Sequence, residues 1–276
     1  MKIVGSAALF LLAVLTTGCG PQLVAEGLPA AEPYDGPLHV EITDPDHEDP
    51  AVRSGAAGRA LECAGEMNDG GTGRNAGVSA GHDSPAEALA GLVEDDLWRI
   101  PTHGYRIERD DGNRVLYSYD VAGRTKIAVI VADQMKDYDG HAGWGAETFA
   151  RCDPAELPDP VTDELGIQVW TDRKGQQVPV AVLSSGPGPE HCDWDSATFL
   201  HLKEDEYIRD PEGALYPEIL DTPFNPDTTL PDDATNTGYA LDGQRLWLAA
   251  DKSAAFIVIG NKVERWPAPT EEFGCA

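Results

Sequence analysis

Between Tyr105 and Ala132 three strand-like segments, "GYRIER", "NRVLYSYD" and "TKIAVIVA", follow one another with only "DDG" and "VAGR" between them. Connections that short are hairpin turns, and they leave no room for a crossover helix, so the segments must form an antiparallel meander. Ile127 to Ala132 is apolar at nearly every position, the pattern of a central strand covered on both faces. "WGAETFARC" supplies a fourth strand. Ahead of them, "SPAEALAGLVEDDLW" reads as a helix: Ser84 is a good N-cap, Pro85 suits the first helical position and Glu87 sits where a capping-box acid belongs. Leu89, Leu92, Val93 and Leu97 recur at helical spacing until Pro101. One helix on an antiparallel sheet gives an α+β first unit over residues 61–160.

The remainder, residues 161–276, reads as mostly β. "GIQVWTD" and "QVPVAVLSS" flank "RKG" as a hairpin, and "SATFLHL", "EYIRD", "RLWLAAD", "AAFIVIG" and "VERWP" supply further strands. "DTPFNPDTTLPDDATNTG" reads as a long irregular loop.

The N-terminus, "MKIVGSAALFLLAVLTTGCG", carries one Lys and an apolar run from Ile3 to Leu15. That run is shorter than the roughly 20 residues of a membrane span and matches a secretory signal. Thr16-Thr17-Gly18-Cys19 resembles the bacterial lipobox, with Thr16 where Leu is commonest. The resemblance implies cleavage after residue 18 and diacylation of Cys19. Residues 19–60, rich in Pro, Ala, Gly and acids, are expected to be a disordered tether. Within them "DPDHEDP" fails as an EF-hand loop, having Asp49 and Gly55 where Gly and Glu are needed. The other four cysteines of an exported chain read as two disulfides. Cys63 with Cys152 and Cys192 with Cys275 would each close one unit.

Acidic residues outnumber basic ones, 48 to 20, for a net charge of −28. That excludes nucleic acid as a partner, since phosphate backbones are met by clustered Lys and Arg. Cations and basic proteins would be attracted. The stretch "GPEHCDWDSATFLHL" concentrates reactive side chains. Read as extended, it turns Cys192 and Trp194 inward and leaves His191, Asp193 and Asp195 outside, where they are candidate metal ligands, although one strand does not complete a site. Gly77-Val78-Ser79-Ala80-Gly81 matches the nucleophile elbow of serine hydrolases but lacks its strand-turn-helix setting: "GEMNDGGTGRNA" before it is not a buried strand. "NDGGTGRNAG" is no P-loop, and the histidines form no closely spaced motif. The six tryptophans are core material or a platform for wall glycans. No cofactor motif is present.

Together, "VLYSYDVAGRTKIAVIVAD", "GPEHCDWDSATFLHL", "YIRDPEG", "TGYALDGQRLWLA" and "VERWPAP" with a terminal "GCA" resemble exported actinobacterial proteins and lipoproteins of unknown function. The resemblance implies location and architecture and brings no activity. The expectation is a non-enzymatic, lipid-anchored binding or interaction protein on the outer face of the cytoplasmic membrane. The alternatives are a secreted form, an envelope hydrolase using Ser79 or the His191, Asp193 and Asp195 group, and a cation-binding surface protein.

Overall fold

The computed structural model describes residues 23–24, 33–73, 80–94, 98–216, 218–270 and 274. The elements of the first unit are α1 (Pro50–Arg53), α2 (Gly55–Ala60), β1 (Met67–Thr72), α3 (Pro85–Glu94), β2 (Tyr105–Asp110), β3 (Arg114–Val121), β4 (Arg124–Lys136), β5 (Ala142–Cys152) and α4 (Asp159–Glu164). The strands form one antiparallel sheet ordered β1-β5-β4-β3-β2. Ala122 and Gly123, at φ of +52° and +76°, make the two-residue turn between β3 and β4. Two successive left-handed residues match the twist of the strands they join. The Ser84 hydroxyl accepts from the Glu87 N–H at 3.2 Å, capping α3 as expected.

β4 is covered on both faces. Ile127, Val129 and Val131 join Leu89 and Leu92 of α3, Tyr105, Tyr117 and Phe149 in one core. Ala128 and Ile130 turn the other way, to Leu38, Ala56, Ala57 and Ala60. This second layer corrects the expected 19–60 tether: residues 19–22 and 25–32 lie outside the described set, but 33–60 is folded onto the sheet. Its helices are too short and too rich in Ala and Gly to show an apolar stripe. Small side chains suffice because α2 packs close to the sheet, and a Cβ at Gly70 would come within 2.7 Å of the Ser54 Cβ. β1 is a second correction, since "MNDGGT" carries no strand signal of its own and is held by pairing with β5. The expected boundary at 160/161 falls inside α4, whose Val161 belongs to the first core with Leu157 and with Leu165 packed alongside.

The second unit contains β6 (Leu183–Pro187), β7 (Thr198–Leu202) and β8 (Asp205–Arg209) in one sheet. A second sheet, ordered β12-β11-β10-β9, holds β9 (Thr235–Leu241), β10 (Gln244–Leu248), β11 (Ala254–Ile259) and β12 (Lys262–Pro267). Their inward faces share a core of Trp170, Leu183, Leu200, Tyr207, Leu246, Ile257 and Trp266. The mostly-β expectation stands, with two differences. The "RKG" hairpin is reduced to a single bridge, Thr171 with Gln177, because Pro179 interrupts the strand after it. The end of the expected loop is β9, which reaches through "TNTG" with Gly238 at φ +87°.

"GPEHCDWDSATFLHL" is not one strand. Glu190–Cys192 is a 3-10 turn, Asp193 is left-handed at φ +59°, and the strand starts at Thr198. Pro189 removes an N–H group that a continuous ladder would need. Trp194 is nonetheless buried, at 3% exposure, and His191, Asp193 and Asp195 are exposed.

Cys63 and Cys152, 89 positions apart in the sequence, are joined by a disulfide with Cα atoms 5.4 Å apart. Cys192 is not a free thiol. Cys275 and Cys19 lie outside the described residues.

Candidate functional site

The two units meet along the segment from α4 to Trp170. The Asp153 carboxylate accepts from the Val180 N–H at 3.1 Å, and the Gln177 amide donates to Asp159 at 2.9 Å. Beside this seam opens a cleft of about 630 Å³. The first unit contributes Asn68, Arg99 and Arg151 to it. The second contributes β6 from Ser184 to Pro187 and the turn beyond, including Glu190 and Asp195. Gly166, Ile167 and Gln168 line it where the units join.

Arg151 is the best-anchored group of the cleft. It is 7% exposed. Its Nη1 donates to the Arg99 carbonyl at 2.7 Å and its Nη2 to Asn68 Oδ1 at 3.4 Å, while its Nε is buried without an acceptor. The nearest carboxylate, Asp69, is 3.7 Å away. Burial lowers the pKa of Arg151, Asp69 opposes that shift and Arg99 adds to it. The guanidinium stays charged, because arginine has more than enough basicity in reserve. Its burial therefore leaves a cation only partly compensated.

Arg99 is held in an unusual place. Its φ is +43°, a conformation that residues other than glycine rarely adopt. The backbone is pinned there from three sides: Trp98 stacks on Phe149 with ring centroids 4.1 Å apart, Arg151 bonds the Arg99 carbonyl, and Ile100 is buried. The Arg99 side chain is exposed, and among the described residues no carboxylate lies within ion-pair distance of it. The opposite end of the lining is polar and ordered. Trp170 Nε1 donates to Ser185 Oγ at 2.9 Å, and Ser185 Oγ donates to Gln168 Oε1 at 2.5 Å, so a buried indole fixes the hydroxyl and amide beside the cleft.

The residues singled out from sequence fare unevenly. His191, Asp193 and Asp195 do not form a ligand set. Among the described residues, three potential ligand atoms come within 4.8 Å of one another at Cys63, Cys152 and Glu156, and at Asp137, Asp139 and His141. The first group is closed by its disulfide. In the second, on the β4–β5 turn, Asp137 already accepts from the His141 N–H at 2.8 Å and lies 3.0 Å from its Nδ1. Ser79 lies outside the described residues. The strand preceding it is β1, a strand after all, but an antiparallel edge strand, and α3 starts only at Pro85. An elbow needs a strand that feeds its helix directly. Of the "GPEHCDWDS" stretch, Gly188, Pro189, Glu190 and Asp195 do line the cleft.

Arg99 and Arg151 carried no motif. The available signal was Arg151 itself, a charge between Ala150 and Cys152 in the stretch Thr148–Cys152 that ends β5 and is buried throughout. No family model matches the chain, and no curated protein or solved structure matches it.

Proposed function

We propose that this chain is a lipid-anchored, extracytoplasmic binding protein, attached through Cys19, that holds a small ligand in the cleft between its two units and catalyses no reaction on it. The observation that carries the reading is the cleft itself. Its volume of about 630 Å³ lies within the roughly 300–1,000 Å³ usual for small-molecule sites. Arg99 and Arg151 enter it without a full complement of carboxylates from the chain's own many acids. A non-catalytic role is favoured because neither histidine nor cysteine lines the cleft among the described residues, and the Ser185 hydroxyl donates to the Gln168 amide, which is not a base. The anchor rests on the apolar run ending at Gly18-Cys19, and we propose Cys192–Cys275 as the second staple, holding the turn that forms one edge of the cleft.

The test uses Gly186, on β6. A Cβ there would meet nothing within 4 Å, so Gly186→Trp fills the cleft with little strain. Native mass spectrometry of protein isolated from its own membranes is expected to show a bound small molecule that Gly186→Trp loses at unchanged melting temperature. Retention of that molecule by the filled variant would refute the site. Cys19→Ala is expected to move the protein out of the membrane fraction, and its retention there would refute the anchor.

A further inference from the structure

We infer that the cleft takes a zwitterion of the amino-acid or short-peptide class, with its carboxylate against Arg99 and Arg151 and its ammonium against Glu190 and Asp195. This rests on the reading that the cleft is the ligand site.

The argument is the distribution of charge. Arg53, Arg106, Arg109, Arg114, Lys126 and Arg209 each find a carboxylate within their own unit. In the cleft, Arg151 keeps to this habit only at long range, 3.7 Å from Asp69 of its own unit, and Arg99 finds no carboxylate among the described residues. The two cleft cations come from the first unit and the two anions, Glu190 and Asp195, from the second, and among the described residues no ion pair joins the two sets. A simple anion would be drawn by the arginines and opposed by the acids, and a simple cation would meet the reverse. A dipolar ligand satisfies both.

The geometry on the cationic side suits a carboxylate. Guanidinium groups meet carboxylates through paired, charge-assisted hydrogen bonds, which are about twice as strong as neutral ones. Arg151 is positioned before any ligand arrives, held by Asn68 and the Arg99 carbonyl, so little side-chain entropy remains to be lost there. Among the prolines, glycines, Ile167 and Val180 that make up the rest of the lining, Ser184, Ser185 and Gln168 supply uncharged polar groups. Hydroxyl and amide groups are the partners that peptide N–H and C=O groups require. The volume exceeds that of one free amino acid and leaves room for a side chain or further residues.

The experiment titrates the mature, folded protein with a pool of the common amino acids and a pool of dipeptides at millimolar concentration, followed by calorimetry on whichever member binds. Saturable binding is expected. Acetylating the ligand's amine and amidating its carboxylate should each weaken binding by about tenfold or more, the loss of one charge-assisted contact. Arg99→Gln should abolish the discrimination against the amide and leave that against the acetyl form. Glu190→Gln combined with Asp195→Asn should do the reverse. All three positions are exposed, so the variants should melt with the parent protein.

No binding from either pool, or equal binding of the doubly blocked ligand, would overturn the inference. If Gly186→Trp still loses a co-purifying molecule in that case, the cleft remains the ligand site and only its specificity has been misread. Zwitterion binding that survives Gly186→Trp would instead place the failure in the site.

Discussion

In the first unit a single five-stranded sheet is covered by α3 on one face and by α1, α2 and the segment around Leu38 on the other. In the second, two smaller sheets cover each other around Trp170 and Trp266. Each main core holds three buried aromatic rings, Tyr105, Tyr117 and Phe149 in the first unit and Trp170, Tyr207 and Trp266 in the second. The first unit adds a layer of small side chains on the other sheet face and a disulfide from Cys63 to β5, whereas two of the second unit's three rings are indoles set among aliphatic residues. Single-residue changes should therefore be felt most in the second unit, where a single side chain does more of the filling.

Trp170→Ala offers the strongest way to break this comparison. Trp170 is 1% exposed and its indole also fixes Ser185. Truncating a buried Trp costs about 3–5 kcal/mol, enough to lower the unfolding midpoint of the second unit below that of the first. Denaturant unfolding followed by hydrogen exchange should show β6–β12 opening while β2–β5 stays protected. Simultaneous loss of protection in both units would mean that they form one cooperative body.

A smaller effect is expected at Glu156, which ties the disulfide loop to the sheet. Its carboxylate accepts from the Ala64 and Gly65 N–H groups at 2.7 and 2.9 Å and from Lys126 at 2.6 Å. Burial pushes its pKa up, but these contacts outweigh burial and hold it below the ordinary carboxylate range. A depressed folded-state pKa contributes stability that is present above the unfolded value, about 4.3, and is lost as pH falls through the folded value. Glu156→Gln should cost about 2 kcal/mol at neutral pH, as expected for hydrogen bonds to a charged group. The difference should vanish in strongly acidic solution. A penalty independent of pH would show that the carboxylate charge is not what holds the loop.

The smallest effect is expected at the exposed turn. His191→Ala and Asp193→Asn should shift stability by no more than about 0.5 kcal/mol, with or without chelator. A chelator-sensitive change would revive the metal reading and give the second unit a staple other than its aromatic core.

The same contrast explains what could be read from sequence. β2 to β5 were legible because alternating or continuous apolar runs were bounded by short turn signals, and α3 because Ser84 and Pro85 mark its start. The layer from Tyr34 to Ala60 was not, since Ala56, Ala57 and Ala60 pack through closeness and leave no pattern of large apolar residues. β1 was not, because a strand containing Gly70 and Gly71 is defined by its partner. At "GPEHCDWDS" the burial of Trp194 was legible from its chemistry, but the alternation used to reach it does not apply to a 3-10 turn. The cleft was hidden for a different reason. Asn68, Arg99, Arg151, Gln168, Ser184 and Glu190 are scattered over more than a hundred positions, and only the closing of β5 against the seam brings them together.

Amide chemical-shift mapping during titration with the binding zwitterion tests the central claim, that the seam cleft is the ligand site, most directly. The largest shifts are expected at Arg99, the Arg151 side chain, Gly166 to Gln168 and Ser184 to Glu190, with β9–β12 unmoved. Shifts centred on the Asp137–His141 turn or on the outer face of β9–β12, with Ser184 to Glu190 silent, would contradict it.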